Sequence, residues 1–364
     1  MNMKKILLSV GAFLSAAGIF ISTMAGGKPG SPEAPTAGNT GSSKLQIHFI
    51  DVGQGDSTLI TCGGEAMLID AGENDQGTAV QSYLTAQGVE KLKYMIGTHP
   101  DSDHIGGMDV VMYKFDCDTV IMPDDAKNTA TYRDVIDTMK NKRYKNTLPV
   151  VGDTYTLGDA EFTILSPSKK YDNSNNNSVV ILLTHGDNRF LLTGDAQEPA
   201  EADILSSGFS VKADVYKAGH HGSSTSSSEA FLEAVQPTYA VISCGEDNSY
   251  GHPHAEVLNS FRIAGVKVFR TDEQGSILAT SDGKTITWNC SPTESWLSGN
   301  GTHVADLPDP DAENTYICNI NTMKFHYPDC PSAQDMREEN RMEITATRAE
   351  MIKQGYEPCK GCKP

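Results

Sequence analysis

A dense group of potential metal ligands lies in the segment THPDSDHIGG, residues 98–107. Four side chains that can bind a cation, His99, Asp101, Asp103 and His104, fall close together there. Imidazole nitrogens and carboxylate oxygens suit Zn²⁺ and Mn²⁺. Alternate side chains of an extended segment point the same way, so the first three can converge on one ion while the fourth turns to a second. The alternative is a polar surface loop whose acidic residues cap a helix.

Further candidate ligands follow other apolar runs that are typical of strands. Asp195 comes after RFLLTG and before a helical pattern, where a carboxylate could equally cap the helix. His220 and His221 end the run ADVYKAG, and His252 and His254 stand in SYGHPHAE. Histidines gathered in so few loops predict a metal centre, with imidazoles that can also act as acid or base near neutral pH. The alternative for the last two is capping of the helix that follows them.

The elements that must position these loops are expected to form α/β layers. Runs such as LQIHFI, STLIT, KYMIG and SVVILLT predict strands, and helical patterns cover residues 78–87 and 105–115. Near residue 304 the pattern changes to the acidic, proline-containing HVADLPDPDAEN, which predicts a domain boundary. We divide the chain into a signal peptide (1–25), a flexible linker (26–43), a large α/β domain (44–290), an acidic linker (291–313) and a C-terminal module (314–364).

The N-terminal residues predict export. Lys4 and Lys5 precede a mostly apolar run, and Thr23-Met24-Ala25 offers small residues at the usual cleavage spacing. We therefore expect a protein that is secreted or held at the extracellular face of the membrane. An uncleaved anchor is the alternative, because the run is nearly long enough to span a bilayer. The Gly-, Pro- and Ser-rich residues 26–43 predict a flexible spacer.

The charge balance restricts how the protein could bind nucleic acid. The 364 residues carry 29 Lys and Arg against 47 Asp and Glu, a net charge of −18 at pH 7. So acidic a chain does not hold DNA by bulk electrostatics. Residues 314–364 contain seven basic and seven acidic residues, so the acidic excess lies in the rest of the chain. Any affinity for DNA should be weak and metal-dependent, with metal-independent binding confined to the C-terminal module.

A second ligand pattern lies in the C-terminal module. His326 and Cys330 form one close pair, and Cys359 and Cys362 form another. Two close pairs on separate loops are typical of a tetrahedral zinc site. A module this short cannot build a sufficient core by burial alone, so one structural zinc ion is expected to fold it. The alternative is two disulfides in an exported chain, which would leave His326 without a role.

Seven segments occur in an order that resembles the hydrolase domain of ComEC-like competence proteins, which has the metallo-β-lactamase fold. They are DVGQGDS, LIDAG, THPDSDHIGG, NNNS, LLTGDA, KAGHHGSS and YGHPH, over about residues 45–288. The resemblance implies an αβ/βα sandwich with two divalent metal ions, Zn²⁺ or Mn²⁺, on its rim. It also implies phosphodiester hydrolysis with DNA as the substrate. Two such ions would lower the pKa of a water molecule toward neutrality and offset the phosphate charge.

The resemblance also implies roles for single residues. His99 and Asp101 would bind one ion, Asp103 and His104 the other, and Asp195 would bridge them. Many members carry His at the position of Asp101, and the harder oxygen ligand favours Mn²⁺ beside Zn²⁺.

Other positions complete the implied site. His221 would be a ligand because its HG step aligns with the family's GHG turn, and His220 would then face substrate. Asn177 stands where other members have a further His ligand, so one ion would be loosely held. Lys217 could contact phosphate, although a lone lysine at a strand end is usually solvated. The candidate catalytic residues are Asp103, Asp195, His220 and His254, and the candidate substrate contacts are His252, His254, Asn177 and Ser223.

The C-terminal pattern is similar to the Ada-type metal-binding module. His326 replaces the first cysteine, which removes the thiolate on which DNA-methyl repair would depend, so no repair role is expected. The leading expectation is an exported metal-dependent phosphodiesterase that acts as an extracellular DNase. The alternatives are a same-fold hydrolase of another ester or a lactam, such as a phosphocholine esterase, a non-hydrolytic extracellular DNA-binding protein, and a secreted zinc-stabilised cell-wall protein. The long apolar spans of the ComEC channel are missing, so we expect no transmembrane channel of its own.

Overall fold

The structure, a computed structural model, describes residues 43–307, 312–359, 361–362 and 364. The expected signal peptide, nearly all of the expected flexible linker and residues 308–311 of the expected acidic linker lie outside these residues. Every element given below belongs to one compact unit, Ser42–Pro364.

Strands and helices alternate through the large α/β domain. The described strands there are β1 (Leu45–Phe49), β2 (Thr58–Cys62), β3 (Glu65–Ile69), β4 (Lys91–Ile96), β5 (Asp116–Ile121), β6 (Asn146–Thr147), β7 (Thr154–Leu157), β8 (Ala160–Ser166), β9 (Val180–His185), β10 (Asn188–Leu192), β11 (Val215–Lys217), β12 (Tyr239–Ile242), β13 (Lys267–Arg270), β14 (Ile277–Ser281) and β15 (Ile286–Trp288). The described helices are α1 (Gly77–Ala86), α2 (Ser102–Ile105), α3 (Met108–Lys114), α4 (Ala130–Lys142), α5 (Glu198–Ser206), α6 (Glu229–Val235), α7 (Ala255–Ile263) and α8 (Thr271–Gln274).

These strands form two sheets. The order is β15-β14-β1-β2-β3-β4-β5-β6 in the first and β13-β12-β11-β10-β9-β8-β7 in the second. Strands β3, β4 and β5 run parallel in the first sheet, and β10 to β13 run parallel in the second. Because the carboxyl ends of parallel strands share one edge of a sheet, the loops after them gather at that edge. These loops carry the ligands expected from the sequence.

Alternating side chains of the strands build a layered core. Phe49 of β1 and Phe190 of β10 point into the space between the two sheets and are buried there. Leu191 points the other way, toward α5, α6 and α7. The outer face of the first sheet packs on α1, α3 and α4. Two sheets with helices on both outer faces form the αβ/βα sandwich, which confirms the fold expected from the sequence.

The helix predicted over residues 105–115 is divided in the structure. Helix α2 ends at Ile105 and α3 begins at Met108, with two glycines between them. A Cβ atom on Gly107 would lie 2.4 Å from the carbonyl oxygen of Ala71. The loop after β3 therefore packs directly against this break, which brings the segment before α2 into the centre of the rim. The helix predicted over residues 78–87 is α1, one residue earlier at each end.

The C-terminal module has its own small sheet. Its strands β16 (Asn314–Asn319), β17 (Lys324–His326), β18 (Arg341–Ala346) and β19 (Glu357–Pro358) take the order β18-β16-β17-β19, with the short helices α9 (Pro331–Gln334) and α10 (Arg348–Lys353) beside them. Tyr316, Phe325 and Met351 form its apolar core. Within the parts of the chain that the structure describes, no helix is both long and apolar enough to cross a membrane.

Candidate metal centre

Asp195 is the carboxylate around which the candidate ligands gather. It follows β10 and is buried. Its Oδ1 lies 3.2 Å from Nε2 of His104 and 3.5 Å from Nε2 of His221. Its Oδ2 lies 3.9 Å from Nε2 of His99 and 3.7 Å from Nε2 of His220. The two oxygens thus face two different pairs of imidazoles, which is the arrangement expected of a carboxylate between two cations.

The other two aspartates divide between the same two sides. Oδ2 of Asp103 lies 3.2 Å from Nε2 of His221. Oδ2 of Asp101 lies 3.7 Å from Nε2 of His99, while its Oδ1 contacts Nζ of Lys127. Burial raises the pKa of Asp101, but His99 and Lys127 outweigh it and bring that pKa to about 2. The structure therefore brings together the ligands expected in residues 99–104 and adds Lys127, which the sequence did not point to.

Hydrogen bonds to residues outside the ligand group fix the orientation of the two innermost imidazoles, those of His104 and His221. Nδ1 of His221 donates to the carbonyl of Ser243 at 2.9 Å, and Nδ1 of His104 donates to Asp70 at 2.8 Å. With the proton on Nδ1, the Nε2 of each neutral ring turns its lone pair to the centre. These two Nε2 atoms are 3.3 Å apart. Two lone pairs at that distance are stabilised by a positive charge between them.

The donor set fits divalent cations. In the described residues, Nε2 of His99 and Oδ1 of Asp195 are buried atoms without a hydrogen-bond partner. Such atoms cost free energy unless something binds them. Imidazole nitrogens and carboxylate oxygens are the donors that Zn²⁺ and Mn²⁺ take. These residues can therefore hold metal.

The charged residues of the centre shift one another's pKa values in the direction opposite to the effect of burial. Burial lowers the pKa of His104, yet Asp195, Asp103 and Asp70 outweigh it and raise that pKa well above its ordinary value. Burial raises the pKa of Asp195, and His221 and His104 outweigh it and hold that pKa well below the usual range. The centre thus favours positive charge, either as protons on its imidazoles or as bound cations.

The GHHG turn after β11 aims both of its histidines at Asp195. His220 and His221 have φ angles of 50° and 55°, in the left-handed region. Each such residue costs about 1 kcal/mol or more, which the surrounding contacts must offset. His221 is buried within the centre, whereas the side chain of His220 is partly exposed at the rim. His221 therefore lies among the other candidate ligands, and His220 lies at the edge of the group.

Asp56 joins the centre, although the sequence did not single it out. One potential ligand atom from each of Asp56, His104, Asp195 and His221 lies within 4.8 Å of the others. The Asp56 oxygens face the Nδ1 atoms, at 3.9 Å from His104 and 3.7 Å from His221, whereas Asp195 faces the Nε2 atoms. Asp56 therefore lies on the Nδ1 side of the two imidazoles, away from Asp195. The sequence signal that could have identified Asp56 is its place in the DVGQGDS motif.

Lys217 is the countercharge of Asp56. Its Nζ lies 2.7 Å from Oδ2 of Asp56 and donates to the carbonyl of Ala218 at 2.9 Å. The residue is only 2 % exposed, so the expectation of a solvated lysine at the strand end is wrong. A cation in that place is needed because the carboxylate beside it is also buried.

Neighbouring backbones lock the ligand loop in place. The amide of Asp56 donates to the carbonyl of Asp103 at 3.0 Å, and that of Ala71 donates to the carbonyl of His104 at 2.7 Å. A Cβ atom on Gly55 would lie 2.4 Å from the Asp103 carbonyl oxygen, so only glycine permits this approach. Gly55 of DVGQGDS thus allows one loop to pack closely on another.

The two histidines of the HPH segment lie at the rim. His252 is buried and its ring stacks near that of His221, with centroids 6.1 Å apart. Burial above all lowers the pKa of His252 to about 3, so its ring is neutral near pH 7. Nδ1 of His254 accepts from the amide of Ser224 at 3.0 Å, and its Nε2 donates to the carbonyl of Tyr250 at 3.2 Å. Both ring nitrogens of His254 are therefore hydrogen-bonded to backbone groups, and the ring makes no capping hydrogen bond to α7.

Asn177 and Ser223 are committed to loop structure. The Asn177 amide oxygen accepts from the Tyr171 amide at 2.8 Å, and its nitrogen donates to Asp125 at 3.1 Å. The structure does not bring Asn177 to the metal ligands, because both ends of its amide are engaged. The next residue, Ser178, instead accepts from the Asp195 amide at 3.1 Å. Ser223 is buried, and its Oγ accepts from Thr225 Oγ1 at 3.1 Å.

The C-terminal module contains a second group of ligands. His326, Cys330, Cys359 and Cys362 each place one ligand atom within 4.8 Å of the others. Burial raises the pKa of Cys359, but backbone donors of Cys362 and Gly361 outweigh it and lower that pKa, whereas burial raises the pKa of Cys362 to about 12. The eight cysteines are unpaired in the structure, and the four ligand atoms converge on one another. One histidine and three cysteines fit a structural zinc ion.

Two family models match the chain. Residues 50–246 match the model described as the metallo-beta-lactamase superfamily, and residues 307–364 match the metal binding domain of Ada.

Individual proteins are also similar to part of this chain. ComE operon protein 3 of Bacillus subtilis (strain 168) is 31% identical over 259 residues, 65% of this chain and 33% of that protein. Competence protein ComA of Neisseria gonorrhoeae is 32% identical over 230 residues, 62% of this chain and 31% of that protein. The chain spans about a third of the length of these relatives. The solved metallo-beta-lactamase fold protein YhfI from Bacillus subtilis, 14% identical, covers 66% of this chain and 100% of its own, with a TM-score of 0.46.

Proposed function

The chain belongs to the metallo-beta-lactamase superfamily, and from that premise we propose that it is an exported, metal-dependent phosphodiesterase that hydrolyses DNA. It is a hydrolase of that fold related to competence proteins. To this we add three proposals: the bond that is cut is a phosphodiester, the substrate is DNA, and the protein acts outside the cytoplasm.

The position of Asp195 is the observation that carries the proposal. One carboxylate oxygen faces His104 and His221, and the other faces His99 and His220. Divalent cations held there would supply the activation of a water molecule and would offset the charge of a phosphodiester. No side-chain nucleophile is required for such a reaction.

Residues at the rim can handle the substrate and its protons. Burial is the largest cause that lowers the pKa of His220, so its ring is neutral near pH 7 and can take up a proton. Lys127 sits against Asp101 and is partly exposed, which puts a positive group where a phosphate would approach. Acid–base chemistry and phosphate binding can therefore both occur beside Asp195.

The choice of DNA rests on the relatives and on the charge. One relative named above is a competence protein and the other a ComE operon protein, and competence is the uptake of DNA. The net charge of −18 makes any attraction local to bound cations and to groups such as Lys127. An acidic surface also eases the release of a charged product. The C-terminal module would add a contact to DNA or to a surface.

Cleavage assays test the proposed reaction. The purified full chain is incubated with single-stranded DNA, double-stranded DNA and a phosphocholine ester, in Mn²⁺ or Zn²⁺ and then with chelator. We expect chelator-sensitive cleavage of DNA and little turnover of the ester. Asp195→Ala is the inactive control. Without chelator-sensitive DNA cleavage by the wild-type protein, the proposed function is wrong.

Export requires its own test. The full-length gene is expressed in a bacterium, and the mass of the protein is measured in the medium, membrane and cytoplasmic fractions. We expect a product outside the cytoplasm that lacks about the first 25 residues. Full-length protein in the membrane fraction would favour the uncleaved anchor, and full-length protein in the cytoplasm would overturn export.

A further inference from the structure

Tyr250 presents an exposed aromatic ring beside the metal centre. Its exposure is 65 %, and one face of the ring stacks on His252, with centroids 5.6 Å apart and planes at 18°. His252 is itself buried and lies over His221, with planes at 26°. Nε2 of His254 also donates to the Tyr250 carbonyl. The ring therefore lies nearly parallel to His252, two rings away from the candidate metal ligand His221, and most of the residue is exposed.

An acidic groove adjoins this ring. It has a volume of about 280 Å³, and its walls include Gln54, Glu73, Asp75, Gln76, Asp103 and Tyr250. Asp103 belongs to the metal centre as well, so the groove and that centre share this residue. Glu73 accepts from the hydroxyl of Ser102 at 3.0 Å, which ties the groove wall to the ligand loop.

The charge of the acidic groove decides which part of a nucleic acid can enter it. Glu73 and Asp75, which are not metal ligands, repel a phosphate, so the phosphodiester is directed to the metal centre and to Lys127. A nucleobase is uncharged and flat, and the exocyclic amines of three of the four bases donate hydrogen bonds to carboxylates. Bases also stack on exposed tyrosine rings whatever their sequence. The groove and the ring together fit a base better than a backbone.

We propose that Tyr250 binds substrate by stacking: the base of a nucleotide next to the scissile phosphate lies on the ring face opposite His252 and projects into the acidic groove. This inference rests on the proposed function. A base inside a duplex is covered on both faces by its neighbours and cannot meet the ring without leaving the stack. The substrate class that follows is single-stranded DNA, or the frayed end of a duplex.

The test compares four proteins on paired substrates. Wild type, Tyr250→Leu, Tyr250→Phe and Tyr113→Leu are assayed with Mn²⁺ on a single-stranded oligonucleotide and on the same strand built from abasic nucleotides. Tyr113 is a matched control because it is an exposed tyrosine, 80 % exposed, on α3. We expect Tyr250→Leu to raise KM for the intact strand about tenfold or more, with a smaller change in kcat. Tyr250→Phe and Tyr113→Leu should resemble wild type, since the first keeps a ring that can stack.

The abasic strand provides the measurement that does not depend on any variant. Wild type should prefer the intact strand by about the same factor as the KM change, and Tyr250→Leu should lose most of that preference. Equal KM values for intact and abasic strands in wild type would overturn the stacking proposal, even if the leucine variant folded poorly. A tyrosine-dependent hydrolysis of the phosphocholine ester, without any effect of bases, would assign the groove to a cation and overturn it too. Failure of wild type to cut any DNA would instead defeat the proposed function itself.

Discussion

Asp56 and Lys217 form a buried ion pair behind the metal centre, with Oδ2 of Asp56 2.7 Å from Nζ of Lys217. Asp56 comes from the loop between β1 and β2 of the first sheet, and Lys217 is the last residue of β11 in the second. The pair therefore joins the two halves of the sandwich at the rim. Its carboxylate also faces the Nδ1 atoms of His104 and His221, so it stabilises the imidazoles from the side opposite Asp195.

Removing one partner of this pair should be strongly destabilising. Lys217→Met leaves the Asp56 carboxylate buried without its countercharge, and we expect the free energy of unfolding to fall by about 3–5 kcal/mol. Urea unfolding in chelator measures the change. Lys140→Met is the control, because the pair of Lys140 with Asp137 is exposed and should contribute less than about 1 kcal/mol. An equal, small effect of both substitutions would contradict a buried, essential pair.

Asp70 should act on metal affinity rather than directly on the reaction. It accepts hydrogen bonds from His104 Nδ1 at 2.8 Å, from the Thr98 hydroxyl at 2.7 Å and from the Thr98 amide at 2.8 Å. Asp70→Asn weakens the orientation of His104, and we expect a loss of about 10–100-fold in metal affinity. Excess Mn²⁺ or Zn²⁺ should recover much of the activity of Asp70→Asn, as measured by titration of the apoprotein.

Asp195→Ala, which removes a carboxylate ligand, should lose more than about 100-fold in activity without recovery. Recovery by added metal would argue against Asp195 as a ligand.

His48 should make the protein less stable in mild acid. Burial lowers the pKa of His48 to about 4, and its ring contacts the hydroxyl of Tyr83 at 3.1 Å. Between about pH 6.5 and pH 4 the unfolded chain binds a proton at this residue and the folded chain does not, so stability falls as the pH falls through that window. His48→Gln should reduce the loss between pH 8 and pH 5 by about 2 kcal/mol.

Urea unfolding in chelator at the two pH values measures the effect of His48, because chelator keeps metal release out of the comparison. The same acid loss in wild type and in His48→Gln would show that this buried ring is not responsible. The pH window is distinctive, since a carboxylate of lowered pKa would lose its contribution at lower pH than this histidine.

The C-terminal module should unfold on loss of metal and resist reduction. Its ligands His326, Cys330, Cys359 and Cys362 are free and close together, so chelator should expose residues 314–359 to protease while reductant alone should not. Cys330→Ser should remove about one zinc ion per chain by metal analysis. Cys318→Ala is the matched control, because Cys318 is buried in the same module outside the ligand group. Protection lost on reduction alone would restore the disulfide alternative.

The sequence by itself determined the kinds of element, the fold and most of the side chains that gather at the rim. Alternating runs such as LQIHF become strands because one face must be buried, and loops at the ends of parallel strands meet at one edge of a sheet. His99, Asp103, His104, Asp195 and His221 could be found because ligand types stand in short loops directly after such strands. These are local signals, and the order of the motifs added the expectation of a site for two ions.

The tertiary structure alone decided which partners surround those ligands. The pairing of Asp56 with Lys217, the contact of Lys127 with Asp101 and the stacking of Tyr250 on His252 depend on how loops meet across the rim. Asn177 satisfied the motif, yet a turn at Tyr171 engaged its amide. Such contacts cannot be deduced from residue type or spacing, because the free energy of burying a charge or an amide depends on what neighbouring segments place beside it.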